Sequence, residues 1–133
     1  DSQQELELVA NASARLLEHS GIPHKVPDFV LELLIQTFCD LRADGGKKTA
    51  MDTLSAVMST AEAVNVAHAV GVRAWFLAGR AGEPDDLVDC IAGTIVKDNE
   101  DDRARLRRYF EQRVGTHKEA HWQAYYQARH RLP

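Results

Sequence analysis

Residues 59–80 read STAEAVNVAHAVGVRAWFLAGR, and the way this stretch folds organises everything around it. Ser59 has the hydroxyl to cap the amides of a first helical turn. Glu62, three residues on, has the reach to accept from Ser59's own N–H and complete a capping box. Behind it, Ala63, Val64, Val66, Ala67, Ala69, Val70, Val72, Ala74 and Phe76 make a long helix rich in small and apolar side chains. Alanines permit close helix–helix approach, so the helix is expected at the centre of a bundle. Gly79 and Gly82 break it.

Helical spacing recurs on both sides, while no stretch alternates with period two for long. A first helix is expected over residues 3–19, with Leu6, Val9, Ala10, Ser13, Leu16 and Leu17 on one face. Ser20-Gly21 supplies its stop. After the connector Ile22–Val26, Pro27 and Asp28 fit the first turn of a second helix. That helix carries Phe29, Val30, Leu31, Leu33, Leu34, Ile35, Phe38, Cys39 and Leu41. Apolar on nearly every face, it is either central or built in part to cover another domain. Residues 47–58 are the least regular, and residues 53–57 suit a very short strand or hairpin arm.

Beyond Gly82, Pro84-Asp85-Asp86 opens a helix with Leu87, Val88, Ile91, Ala92, Ile95 and Val96 at i, i+3, i+4 spacing. Acids at 98–102 followed by arginines at 103–108 complement the dipole of the next helix. Gly115 stops it. Thr116 with Glu119 predicts a second capping box, opening a last helix with Trp122, Tyr125 and Tyr126. The expected fold is all-α, a single domain over residues 1–133 built as a bundle of five or six helices.

Composition sets the outer bounds. With 44% apolar residues in 133, the chain can bury a real core. The net charge of −4 conceals a polarity: residues 1–102 hold 18 acids against 8 bases, and residues 103–133 hold 8 bases against 2 acids. Such a basic tail docks on an acidic surface, either its own domain's or a neighbour's, ahead of nucleic acid, for which no binding motif is present. Cys39 and Cys90 lie in apolar helical patterns and read as small hydrophobes rather than a disulfide. No membrane span or signal peptide is visible, so the expected location is cytoplasmic. The chain starts at Asp1 almost directly in a helix, which reads as a piece of a longer protein.

Chemistry is sparse. Gly45-Gly46-Lys47-Lys48-Thr49 lacks the spacing of a phosphate loop, because a second lysine separates Lys47 from the hydroxyl. Asp85-Asp86 and Asp101-Asp102 sit at helix starts, where acids are expected anyway, and burial is not expected of them. His117 and His121 stand one turn apart, but the acid between them is misplaced for a zinc protease and no third ligand is evident, so they read as a surface pair. His68 reads as a hydrogen-bonded core histidine; His19 and His24 flank a turn and face solvent. Trp122, Tyr125 and Tyr126 pack a terminal helix onto the bundle or a partner in preference to stacking on bases. No catalytic or metal-binding residue is assigned.

The order of signals adds something the individual motifs lack. Val26-Pro27-Asp28-Phe29-Val30-Leu31-Glu32-Leu33-Leu34 resembles the helix that opens the lid of MoxR-type AAA+ ATPases. Leu54-Ser55-Ala56-Val57 before Met58-Ser59-Thr60 resembles their short strand and Ser-Pro-Arg or Ser-Thr-Arg helix start. Ala78-Gly79-Arg80 and then Glu83-Pro84-Asp85-Asp86-Leu87 resemble their Gly-Arg and Thr-Pro-Glu-Asp-Val elements. The resemblance covers residues 22–97, a lid-like core, and leaves 98–133 as a C-terminal helical extension.

The resemblance implies a helical lid separated from an α/β half that binds ATP and magnesium. The fragment alone would bind no cofactor and catalyse nothing, although its parent would be an ATPase. Its partners would be that α/β domain, neighbouring subunits of a ring and a client protein. The apolar excess on the helix over residues 28–42 would face the α/β half. In the family, a lid arginine after Ser-Pro or Ser-Thr contacts the γ-phosphate, stabilising charge on the transferred group. Here Ala61 and Glu62 stand in that place. The nucleotide-proximal candidates in a full-length protein are therefore Ser59, Thr60, Arg73 and Arg80. The rival expectation is a free-standing helical adaptor that docks through its basic, aromatic C-terminal helices.

Overall fold

The computed structural model describes residues 2–45, 60–95 and 100–133. Among these, six α-helices are present: α1 (Ser2–His19), α2 (Asp28–Gly45), α3 (Thr60–Ala78), α4 (Pro84–Ile95), α5 (Glu100–Gln112) and α6 (Ala120–Gln127). Short 3-10 turns at Val114–Thr116 and Ala128–Arg131 follow α5 and α6. The architecture is an all-α bundle, as the periodicity predicts. Ser59 with its capping box, the expected strand at 53–57 and the Gly46–Thr49 turn lie outside the described residues.

The end of α1 shows how local sequence sets the path. Gly21 takes a positive φ of 76°, a conformation that a Cβ disfavours. Its N–H donates to the Glu18 carbonyl at 3.0 Å, and that of Ile22 donates to Leu17 at 2.9 Å. These are the two bonds of a Schellman motif. Leu17 and Ile22, the hydrophobic pair that accompanies it, are both buried.

Helix α3 packs on α1, α2 and α4. Its small residues let it lie close: a Cβ on Gly71 would meet Leu17 side-chain carbons at 2.6 Å. The α2 helix is the hub, touching α1, α3, α4 and α6. Val30, Leu31, Leu33, Leu34, Ile35, Phe38 and Leu41 are all buried within this one domain. That corrects the expectation that the apolar excess of residues 28–42 faces another domain. The neighbours that cover it come from distant parts of the chain, which helical periodicity alone does not reveal.

Residues 100–133 belong to the same core. Leu106, Phe110, Val114, Trp122 and Tyr125 join one cluster with Val9, Leu33 and Leu87. Tyr109 donates to Asp40 at 2.8 Å, Arg105 reaches the Leu41 carbonyl at 3.2 Å, and Arg113 lies 3.6 Å from Asp40. The basic segment thus docks on the acidic body of its own domain. The buried Thr37–Tyr125 pair is matched as well. Thr37 donates to the Leu33 carbonyl at 2.7 Å, so its single hydrogen is used and the fully buried Tyr125 hydroxyl donates to it at 2.9 Å.

The second capping box does not form. Thr116 sits in the 3-10 turn, where its hydroxyl donates to the Arg113 carbonyl at 2.7 Å. Glu119 is the N-cap of α6 but makes no side-chain cap bond. The extra 3-10 turn moves the helix start three residues past the threonine, out of reach of the reciprocal pair.

Candidate functional site: the charged corner between α3 and α4

Gly79, with φ of 64°, ends α3; its N–H donates to Trp75 at 2.8 Å. The chain then turns tightly back on itself. A Cβ on Gly82 would stand 2.6 Å from Val70 Cγ1. Glu83 precedes α4, and Leu87 N–H donates to its carbonyl at 3.2 Å. Asp86, in the first turn of α4, reaches back to accept from the Glu83 N–H at 2.9 Å. This is one arm of a capping box, with aspartate where glutamate usually stands.

Asp86 does more than cap. Its Oδ2 also accepts from Arg80 Nη1 at 2.7 Å, and Arg73 Nε lies 3.8 Å from its Oδ1. Asp86 is only 5% exposed. The expectation of an exposed helix-start acid is therefore corrected: the α3–α4 turn folds two arginines over it. Bonding to Asp86 holds the Arg80 guanidinium above its usual range, with burial opposing and Glu83 and Asp85 adding to the rise. One turn further, Asp89 Oδ2 accepts from Arg73 Nη2 at 2.8 Å and from Arg131 Nη2 at 2.8 Å. Arg131 Nε also donates to that oxygen, at 2.9 Å. The corner therefore ties together α3, the turn, α4 and the C-terminal 3-10 turn by alternating charge.

Of the four candidate residues, the structure brings two together. Arg73 and Arg80 meet on Asp86. Thr60 opens α3 at its other end, exposed, 13 residues from Arg73 and so roughly 20 Å along the axis. Ser59 lies outside the described residues. Thr60 and the arginine corner cannot touch the same phosphate group. Nor does the corner fit a polyphosphate as built. Each guanidinium is committed to a carboxylate, and an incoming anion would meet Asp86, Asp89 and Glu83 beside them.

The remaining candidates resolve as structural contacts. His117 stacks on Trp122 at 3.9 Å and 10° and lies 3.5 Å from Glu119. His121 instead faces Glu32 at 3.7 Å and the edge of Phe29. Both rings lie against Trp122, His121 tilted on it with ring centroids 6.2 Å apart, and among the described residues no group of three His, Cys, Asp or Glu side chains is placed to hold a metal ion. His68 bonds to Ser20 at 3.2 Å, half-buried rather than in the core. Cys39 and Cys90 are not joined in a disulfide. In the aromatic tail, Trp122 and Tyr125 are buried, and Arg129 lies over the Tyr126 ring at 3.9 Å. Among the described residues no helix is long and apolar enough to cross a membrane.

The match of the chain to a family model sets the class, the C-terminal domain of an AAA+ ATPase, in keeping with the resemblance carried by the Gly-Arg and Pro-Asp-Asp turn between α3 and α4. The chain belongs to the family of YehL-like AAA+ ATPase C-terminal domains, which it matches over residues 3–133. It is 86% identical over all 133 residues to a protein of Escherichia coli (strain K12) described as uncharacterized protein YehL, and spans 37% of that relative's length. No solved structure matches it.

Sequence reasoning missed the corner. Asp86 and Asp89 stand three apart on α4, and Arg73 and Arg80 stand seven apart across the end of α3. Asp86 and Asp89 share one face of α4, and opposite charges on either side of the Gly79–Gly82 break were the signal that could have found it.

Proposed function

We propose that this chain is the helical lid of a MoxR-like AAA+ ATPase, coupling ATP binding and hydrolysis in an α/β domain to the remodelling of a client protein. Membership of an AAA+ C-terminal family and the order of the MoxR-type motifs support it. The single observation that carries the mechanical part is the Arg80–Asp86–Arg73 corner. A lid transmits motion only if its helices move as one body. A buried acid gripped from the turn and from the preceding helix fastens α3 to α4.

In this reading Arg73 and Arg80 are positioning residues that stiffen the lid. Thr60, at the far end of α3, and Ser59, which precedes it in the sequence, are the nucleotide-proximal candidates. Neighbouring subunits of a ring and a client protein complete the assembly, in the cytoplasm. ATP and magnesium belong to the α/β domain, and the lid's own residues perform no chemical step on them.

Deleting this domain from the parent polypeptide tests the reading. ATP hydrolysis by the parent is expected to fall at least tenfold without it. Undiminished turnover by the truncated parent would overturn the lid assignment.

A further inference from the structure

Residues 129–133 are held to the bundle mostly by charge. Ala128, just before them, is buried, and its N–H bonds back into α6. Beyond that anchor, Arg131 donates twice to Asp89 Oδ2 on α4, from Nη2 at 2.8 Å and from Nε at 2.9 Å. Arg129 donates to Glu111 of α5 at 3.1 Å, and Arg107 of α5 donates to the Pro133 oxygen. Leu132 is only partly buried against the core, and Pro133 is exposed. A groove of about 240 Å³ remains beside the segment, lined by Arg107, Phe110 and Glu111 of α5 and by Arg129 and Leu132. Exposed ion pairs over a contact that is not fully packed hold weakly in water and more weakly in salt.

The Asp89 end has a second partner. Arg73 Nη2, from α3, donates to the same Oδ2 at 2.8 Å. Asp86, the other carboxylate beside Arg73, is already served by Arg80 and by the Glu83 N–H. Two arginines thus share one oxygen of a side chain that is 20% exposed. Either arginine can leave without stranding Asp89, but not both.

We infer that residues 129–133 form a releasable strap latched by Arg131, and that Arg131 and Arg73 are alternate partners of Asp89. With the strap latched, the carboxylate divides its charge between the strap and α3. With the strap released, Asp89 gives its whole charge to Arg73, which draws α3 and α4 together. The strap thereby sets how firmly the α3–α4 corner is fastened. Its bearing on a moving lid rests on the reading of the chain as part of an ATPase; the latch itself does not.

Hydrogen exchange followed by NMR on the 133-residue chain, which buries its own core, reads the latch directly. Two protons report on it: the Arg131 Nε–H, and the Leu132 N–H that donates to the Arg129 carbonyl at 3.0 Å. Both are expected to exchange about fivefold faster in about 1 M than in about 50 mM sodium chloride, because salt screens the ion pairs that hold the strap. The Ala128 N–H, fixed at the end of α6, is expected not to change. Arg131→Ala should show the fast Leu132 exchange at low salt already, and Arg131→Lys should restore part of the protection. Salt-independent exchange of the native strap overturns the inference, as does a Leu132 N–H that stays protected in Arg131→Ala. Unfolding midpoints of Arg73→Ala, Arg131→Ala and the double variant test the sharing of Asp89. The double variant is expected to lose more than the two single losses together, because Asp89 then has neither cation. An additive loss overturns the sharing. Neither measurement involves ATP, so a failed lid assignment leaves the strap standing, and a failed strap leaves the lid assignment standing.

Discussion

Arg80 donates to Asp86 at 2.7 Å across six residues, from the turn that ends α3 to the first turn of α4. The same carboxylate accepts the Glu83 amide at 2.9 Å. A single buried side chain thus closes a turn, caps a helix and joins two helices. Removing it leaves the Glu83 N–H without its acceptor and the Arg80 guanidinium without its closest carboxylate, while Arg73 keeps Asp89.

Asp86→Ala is therefore expected to destabilise the domain by about 2–3 kcal/mol, below the full cost of breaking a buried pair because Arg73 and Arg80 are each about one-third exposed and stay partly hydrated. Thermal unfolding followed by circular dichroism should show a fall on the order of 10 °C. Arg131→Ala breaks an exposed link to Asp89, which keeps Arg73, and should barely move the midpoint.

Two glycine substitutions are expected to have opposite signs. Gly71→Ala forces a Cβ within 2.6 Å of the buried Leu17. Overpacking should outweigh the gain in helix propensity and cost about 1–2 kcal/mol. Gly93 lies inside α4, where an added Cβ would have nothing within 4 Å. Gly93→Ala should stabilise by about 0.5–1 kcal/mol. Chemical denaturation of both variants checks the pair.

Alkaline pH should unfold the domain in a defined order. Burial pushes the Cys90 thiol up to about 11 from its ordinary 9.0, with Arg73 opposing and Asp86 and Asp89 adding to the rise. Burial likewise holds the Tyr109 and Tyr125 hydroxyls above their ordinary 10.0. Each group thus keeps its proton more tightly in the native state than in the unfolded chain. The stability this contributes is complete below pH 9, falls between pH 9 and 11 through Cys90, and falls further above pH 10 through the tyrosines. Melting temperatures measured from about pH 7 to 11 should show this decline. Cys90→Ala should flatten its first part, between about pH 9 and 10.

Local signals in the sequence carried the fold a long way. The Ser20-Gly21 stop of α1, the proline entry to α2, the glycine end of α3 and the Pro84 start of α4 all depend on a few neighbouring residues, and each helix lies where its spacing places it. The exceptions are contacts chosen across long separations. Asp40 meets Tyr109 and Arg113, Asp89 meets Arg131, and α2 is covered by helices from both ends of the chain. No spacing rule encodes such choices. The Thr116–Glu119 pair failed for the opposite reason: its pattern was right, but a 3-10 turn intervened. Asp86 does in the structure what Glu119 was expected to do, because Arg80 and Arg73 offset the charge that its burial would otherwise leave unpaired.

Calorimetry with ATP and magnesium tests the central claim most directly, run on the isolated chain and on its parent side by side. The account predicts binding by the parent and no measurable heat from the isolated domain, whose arginine corner is already filled by its own carboxylates. Micromolar binding of ATP by the isolated chain would contradict it.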